Sequence, residues 1–491
     1  MKKYFLEIAV FLCGAVVMIY EIAGSRVVAP HFGASIYVWT SLIGVILASL
    51  SIGYWLGGKI ADKNPSFRNL SRIILISAIL IALTTLVKEH ILEFLTFSFH
   101  GMIMRTLLAA IILFSPASIL LGMVSPYAVR LKLTSVQTSG ATVGNLYAIS
   151  TVGSILGTFM AGFFLIPFAG TSNILYLIAA ILVIVAVSLY FSFRNNPEMI
   201  ISILLIGFIG SSIFIWNADS KIIDIDTKYN RVQIFEMDYW INGKPIQVMK
   251  VNDEYSSAMY PDNDSLVYEY LQYYRLAEHF CPHFSESLII GGAAYSYPRY
   301  YLDHYPHATI DVVEIDAGLT KLAKEYFRLQ EDPRMRIFHE DGRTFLNRQE
   351  KKYDVIFGDA YKSLLAIPFQ LTTLEATQRK YDMLKDDGIV IENLISSIEG
   401  PSSEFMKAEI ATYLEVFPQV FLFACHDPED ARLLQSISLV ALKSDDKVTF
   451  TNSDKTLNSY LMNRVEPEIP EGTLILSDNY APVEYFAKKS L

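Results

Sequence analysis

The sequence predicts an N-terminal all-α transmembrane bundle, then a small β-hairpin unit, then a C-terminal α/β domain built on a doubly wound parallel sheet. Three observations carry this. Apolar runs of bilayer-crossing length, about 20 residues, crowd the first two fifths of the chain. From Lys221, KIIDIDTKYNRVQIFEMDYWINGKPIQVMKVND alternates apolar and polar residues around an Asn242-Gly243 turn, a hairpin signature. Beyond it, short and nearly continuous apolar runs alternate with helical patterns, as strands covered on both faces by helices do. The expected boundaries are 1–218, 219–260 and 261–491.

The apolar runs fall near 5–24, 35–57, 70–88, 102–125, 141–166, 171–193 and 199–216. The basic, apolar N-terminus lacks a clean cleavage pattern and reads as a retained first span. Gly53, Gly57 and Gly58, and Gly153, Gly157 and Gly162, are small residues spaced to let helices approach closely in lipid. Lys2, Lys3, Lys59, Lys63, Arg68, Arg72, Arg130, Lys132 and Arg194 flank one side, which is therefore expected in the cytoplasm. Seven strict spans would leave the C-terminal half outside, whereas its expected ligand is cytosolic; the expectation is a multi-pass protein of the cytoplasmic membrane with its catalytic half facing the cytoplasm. Glu21, Arg26, His31 and Asp62 lie near span ends and read as anchors rather than as a transport path.

The formal charge of −10 is carried mostly by the C-terminal half, with no concentrated basic surface, which excludes nucleic acid as a partner. Cys13, Cys281 and Cys425 support neither a disulfide framework nor a zinc site. His279 and His283 are four apart, but Pro282 lies between them and no third ligand accompanies them, so no metal is expected.

The strands SLIIGG, TIDVVEID, MRIFHED, YDVIFGD and GIVIENL are expected in that order, with VFLFAC and SISLVAL extending the sheet. Ligands bind at the carboxyl ends of such strands. The first four end in Gly291 and Gly292, in Glu314 and Asp316, in Asp341 and Gly342, and in Asp359. The Gly291-to-Glu314 spacing suits an acidic residue placed on ribose hydroxyls. The loop GGAAYSYP has Tyr295 where a pyrophosphate loop needs a further glycine, so a nucleoside without phosphate fits better. S-adenosylmethionine and its decarboxylated form are such ligands, and their sulfonium charge suits a carboxylate-rich crevice.

The runs LIIGGAAYSYPRYYL, VVEID, EDGRTFL and YDVIFGDAY, in this order, resemble the nucleoside-binding core of the spermidine and spermine synthases, the polyamine aminopropyltransferases. With YEIAGSRVVAPHFGASIYVWTS and GNLYAISTVGSILGTFMAGFFLIP, the whole chain resembles the membrane-spanning spermidine-synthase-like proteins of bacteria. The soluble resemblance covers about residues 225–445. It implies a Rossmann-like, methyltransferase-type fold, with Glu314 on the ribose and Asp341 and Gly342 near the adenine. It also implies an aminopropyl pocket lined by Tyr229, Asn230, Tyr268 and Asp359. The expected ligand-binding set is completed by Gly291, Gly292, Tyr295, Ile315 and Ala360, and the expected catalytic set is Asp359, Tyr361, Lys362 and Tyr268.

Two departures bear on the chemistry. The family loop G-G-G-D-G holds the substrate amine with an Asp, where this chain has Ala294. The family loop D-[ST]-[ST]-D ends in an Asp taken to deprotonate the acceptor, where DAYKS has Lys362. An ammonium in place of that carboxylate removes a base and a counter-charge. The expected activity is therefore cleavage of the Cγ–S bond with release of methylthioadenosine, as a lactone-forming lyase or by aminopropyl transfer. A methyltransferase acting on a hydrophobic acceptor and a non-catalytic ligand-sensing membrane protein or transporter are the alternatives. The expected partners are a small-molecule substrate and membrane lipid, with a homodimer left open.

Overall fold

The computed structural model describes residues 4–33, 35–99, 101–191, 222–252, 254–360 and 367–488. The expected span 199–216 and the loop residues Tyr361 and Lys362 lie outside these. The chain divides into two compact units, one comprising the N-terminal helices with Ile225–Tyr229 and the other Ile222–Asp224 with everything from Asn230 onward. The expected hairpin subdomain is thus not a unit of its own.

The first unit contains α1 (Phe5–Phe32), α2 (Ile36–Lys63), α3 (Phe67–Ser98), α4 (Met102–Leu113), α5 (Ser115–Lys132), α6 (Ser139–Phe159) and α7 (Thr171–Phe191). Among the described residues, five helices are long and apolar enough to cross a membrane, with α6 running on to Phe168; α4 and α5, bent by 52°, raise the number to six if they form one broken span. Pro116, in the first turn of α5, explains the bend, because it removes an amide donor and crowds the preceding turn.

Small residues set the helix contacts. A Cβ on Gly153 would lie 2.1 Å from the Phe11 carbonyl oxygen, and one on Gly157 2.4 Å from that of Ala15, so α6 meets α1 backbone to backbone. Gly53 and Gly57 of α2 meet α5 in the same way, near Ile119 and Met123. Gly58 and Gly162 face open space, so of the six glycines singled out by spacing these two carry no contact. Asp62 pairs with Arg130 at 3.2 Å, and His31 lies 3.2 Å from Glu89.

β1 (Ile223–Asp226), whose residues divide between the two units, and β2 (Arg231–Asp238), β3 (Pro245–Val251) and β4 (Glu254–Met259) of the second unit form a four-stranded sheet in chain order, which is larger than the expected hairpin. The β2–β3 turn carries Gly243 at φ +67°, as a tight hairpin requires. Val232, Ile234, Met249 and Val251 of this sheet pack on Ala294, Leu319, Leu322 and Phe327.

Next come β5 (Glu286–Ile290), α8 (Ser296–His304), β6 (Thr309–Val313), α9 (Ala317–Tyr326), β7 (Met335–Phe338), α10 (Gly342–Arg348), β8 (Tyr353–Gly358), α11 (Leu374–Asp382), β9 (Leu384–Ser396), α12 (Glu404–Leu414), β10 (Gln419–Ala424), β11 (Gln435–Leu442), α13 (Lys455–Met462), β12 (Arg464–Val465) and α14 (Val483–Lys488). The strands form one sheet in the order β12-β10-β11-β9-β8-β5-β6-β7. Strands β9, β8, β5, β6 and β7 are parallel, whereas β11, β10 and β12 are added antiparallel. The sheet is therefore mixed rather than wholly parallel: α12 carries the chain from β9 to β10, which runs in the same direction, and β11 returns without a crossover helix to lie antiparallel between them.

Strands β5, β6, β8 and β9 are buried on both faces, whereas the edge strand β7 is only partly covered. Leu288 and Ile290 join the layer containing Phe405 and Met406, while Ile289 joins one containing Tyr274, Tyr297 and Tyr301.

Replacing Gly153 or Gly53 by Leu should lower the thermal stability of the detergent-solubilised protein, each by about 1–3 kcal/mol of overpacking, whereas Gly58→Leu and Gly162→Leu leave it unchanged. Thermal denaturation followed by size-exclusion chromatography reads the difference; equal effects at all four positions would remove the close-packing argument.

Candidate active site

Chain order reverses between β5 and β8, so the switch point lies where their carboxyl ends meet. Gly291, just past β5, has φ +105°, and a Cβ there would fall 2.1 Å from the Asp359 carbonyl oxygen. Any side chain at 291 would push the two strand ends apart. The Asp359 amide donates to the Ile290 carbonyl at 2.8 Å, and the Gly291 amide to that of Val313 at 2.9 Å.

The loop after β5 is conformationally unusual. Ala293 at φ +44° and Tyr295 at φ +60° join Gly291 in the left-handed half of backbone space, where non-glycine residues are uncommon and strained. What holds them is Glu314. Its Oε2 accepts from the amides of Gly292 at 2.9 Å and Ala293 at 3.0 Å, and its Oε1 from the amide of Asp316 at 2.9 Å. Burial raises its pKa, against the lowering effect of these amides. A carboxylate has about four acceptor positions, so this one keeps capacity for ligand hydroxyls. Ile315, beside it, is half-buried.

Tyr295 does not line the crevice as expected. Its ring is fully buried, its hydroxyl lies 2.7 Å from Thr320 Oγ1, and Gly292 rests on it. It supports the loop from beneath. Asp316 and Asp341 cap α9 and α10, accepting from Gly318 and Thr344 respectively. Asn230 donates to Asp316 at 2.9 Å and accepts from Asn252 at 3.0 Å, tying the four-stranded sheet to the β6 end. Tyr229 groups with the first unit, so only Asn230 of that pair is placed with the strand ends.

Asp359 is half-buried at the end of β8. Tyr270 donates its hydroxyl to Oδ2 at 3.1 Å, and Asn393 Nδ2 lies 3.4 Å from Oδ1. Tyr274 donates to the Gly358 carbonyl at 3.4 Å. Burial pushes the Asp359 carboxyl up to about 6, while Asn393 and Tyr270 act in the opposite direction. Tyr268 stacks on Tyr270, with ring centroids 6.3 Å apart, and its hydroxyl is buried without a partner among the described residues. Tyr270, Tyr274 and Asn393 were missed in the sequence; the signal available was the tyrosine cluster YEYLQYY and a polar residue inside the apolar run of β9.

A cavity lies on the other side of the same strand ends. Its walls include Ile290, Gly358, Ala360, Ile367, Pro368 and Leu371. Gly342 adjoins it, since a Cβ there would meet Ile290 at 2.8 Å and Leu371 at 3.4 Å. The expected residues Gly291, Gly292, Glu314, Gly342, Asp359 and Ala360 thus converge on one switch point. Among the described residues no group of three side chains is placed to hold a metal ion.

The folded pKa of Asp359 stands above its ordinary value of 3.8, so the native state binds its proton more tightly than the unfolded chain. This contribution to stability is complete below pH about 4 and is lost as pH rises through about 6. Asp359→Asn should therefore be more stable than the parent at pH 7.5, by about 1–3 kcal/mol, with the gap narrowing below pH about 6 and closing towards pH about 4. A variant less stable at pH 7.5 would mean that the carboxylate is a stabilising partner instead.

Residues 273–445 match the spermine/spermidine synthase domain, a later start than the 225 expected, because the four-stranded sheet falls outside the match. A polyamine aminopropyltransferase of Vibrio vulnificus is 28% identical over 198 residues, which span 40% of this chain and 62% of that protein. Polyamine aminopropyltransferase 1 of Streptomyces coelicolor is 22% identical over 386 residues, 73% of this chain and 69% of its own. That match is longer than the C-terminal unit alone. Among solved structures, a probable spermidine synthase from Corynebacterium glutamicum aligns with a TM-score of 0.45 and 21% identity, covering 53% of this chain and 97% of its own. Over residues 273–445 the chain is thus similar to the spermine/spermidine synthase domain, and it spans less than two thirds of the Vibrio vulnificus relative's length.

Proposed function

We propose that the chain is a membrane-anchored aminopropyltransferase: it binds decarboxylated S-adenosylmethionine at the β5–β8 switch point and transfers the aminopropyl group to an amine, releasing methylthioadenosine. The observation that carries this is Asp359, an acid poised near pH 6 at the strand ends, beside Tyr270 and Asn393. An amine acceptor must lose a proton as it attacks, and a base whose pKa lies near the working pH is suited to take it.

In this reaction the amine lone pair forms a bond to Cγ, the Cγ–S bond breaks, and its electron pair neutralises the sulfonium. The ammonium proton passes to Asp359 and on to water. Glu314, already oriented by three backbone amides, takes the ribose hydroxyls. The arrangement works mainly by alignment, which alone can supply several kcal/mol. Residues 273–445 and the names of the aminopropyltransferase relatives support the reading. The long apolar helices of the first unit support membrane attachment, and the catalytic unit is assigned to the cytoplasmic side, where its sulfonium substrate is made.

A second reading is favoured by Ala294, which is fully buried and contributes only its amide, donated to Ser257 Oγ at 3.2 Å. No carboxylate at that position holds a substrate amine. S-adenosylmethionine bound there would close on its own carboxylate, giving a lactone and methylthioadenosine with no acceptor and no base.

Incubating purified protein with each sulfonium, with and without putrescine or spermidine, and weighing all products separates these routes. Aminopropyl transfer yields an amine heavier by one aminopropyl group; the lyase yields methylthioadenosine from S-adenosylmethionine alone; S-adenosylhomocysteine would reveal methyl transfer and overturn both. For aminopropyl transfer, kcat/KM should rise with pH through about 6, and Asp359→Asn should lose it by a factor of about 100 or more.

A further inference from the structure

The cavity beside the switch point has two unlike regions. Ile290, Ile367, Pro368 and Leu371 make its walls apolar, while Lys380, Glu392 and Glu409 make its floor charged or polar. With its mouth included it encloses about 350 Å³.

The floor is a closed hydrogen-bond cluster with one end open. The Lys380 ammonium donates to Glu392 Oε1 at 2.5 Å, to the Tyr413 hydroxyl at 2.9 Å and to the Leu371 carbonyl at 3.1 Å, which uses all three of its protons. Tyr413 donates to the same Glu392 oxygen at 2.9 Å. The other Glu392 oxygen rests on Gly358, 1.7 Å from where a Cβ would stand. Only glycine at 358 admits a carboxylate there, at the end of the strand that carries Asp359. Glu409 is 2% exposed, and its Oε2 meets no hydrogen-bond partner among the described residues. Buried polar atoms are nearly always paired, so an unpaired one marks a place where a ligand group can supply the partner.

We propose that the Glu409 carboxyl hydrogen-bonds the amino-bearing edge of the base of the bound nucleoside, making it a specificity-determining residue for a 6-aminopurine. The assignment rests on the nucleoside reading of the site given above. The flat apolar walls suit the faces of an aromatic ring. Lys380 and Glu392 neutralise each other, so the floor attracts neither an anion nor a free cation. Burial lifts the Glu409 carboxyl well above the usual carboxylate range, more than Lys380 lowers it. The neutral acid offers one O–H donor and one carbonyl acceptor, which complement a ring nitrogen and the adjacent amino group.

The test uses the full chain in detergent and calorimetric binding of two probes, 5′-methylthioadenosine and its analogue lacking the 6-amino group. The parent should prefer the amino compound by about tenfold or more. Glu409→Met, of similar volume and apolar, should bring the ratio close to one, and Glu409→Gln, which keeps a donor and an acceptor, should restore most of it. A ratio unchanged in a folded Glu409→Met protein would overturn the proposal and show a purely structural cluster. A ratio near one in the parent overturns it without any variant. If the parent binds neither nucleoside, the nucleoside reading itself falls; tight binding with a ratio near one spares that reading and removes only the role of Glu409.

Discussion

The site depends on one steric constraint, the contact between the backbones of Gly291 and Asp359. The Asp359 carbonyl occupies the space of a side chain at 291, and this lets the ends of β5 and β8 stay hydrogen-bonded past their last regular residues. Without that approach the switch point would open, the loop 291–295 would lose its footing, and Asp359 would swing away from Tyr270. Gly358 repeats the pattern one residue earlier on the other side, where its missing side chain makes room for Glu392. Two glycines on the two central strands thus bring carboxyl groups to both sides of the same strand ends.

Strain and anchoring are matched in the loop after β5. Ala293 and Tyr295 hold backbone angles that cost energy, and two of the three amides bound to Glu314 come from that loop. Tyr295 adds a buried ring and a bonded hydroxyl beneath it, and the small sheet adds Ala294 to its apolar cluster. The four-stranded sheet therefore clamps the loop after β5 through Ser257 to Ala294, and the β6 end through Asn230 to Asp316.

The parallel core was legible because strands buried on both faces must be written as short apolar runs, and their last residues are then the acidic or glycine positions of the crevice. VFLFAC and SISLVAL read as strands for the same reason, but their direction was not legible, since apolar content is the same whether a strand is entered from above or below. Gly53, Gly57, Gly153 and Gly157 were recognised by spacing, whereas Gly58 and Gly162 share that spacing and meet nothing, because spacing does not say which helix face is covered. Tyr295 looked like a crevice residue from its position in the loop; its left-handed backbone turns the ring inward. Tyr270 and Asn393 act through tertiary contacts with Asp359, which no local pattern encodes in a chain with 29 tyrosines. Lys362, the sharpest departure from the family pattern, lies outside the described residues.

Three carboxyl groups near this switch point differ in how many donors face them, and that difference sorts their roles. Glu314 is faced by three amides, which counter the raising effect of burial only in part and fix the direction of its oxygens. Asp359 is faced by one phenol and one distant side-chain amide, too few to offset burial, so it titrates near the pH at which it would exchange a proton. Glu409 has an oxygen that no described group faces, and burial raises its pKa well above the usual carboxylate range. A cationic substrate would shift this order at one place only. In the proposed reaction a sulfonium or ammonium beside Asp359 lowers its pKa by direct attraction, so bound substrate extends the charged form of the base to pH values below about 6.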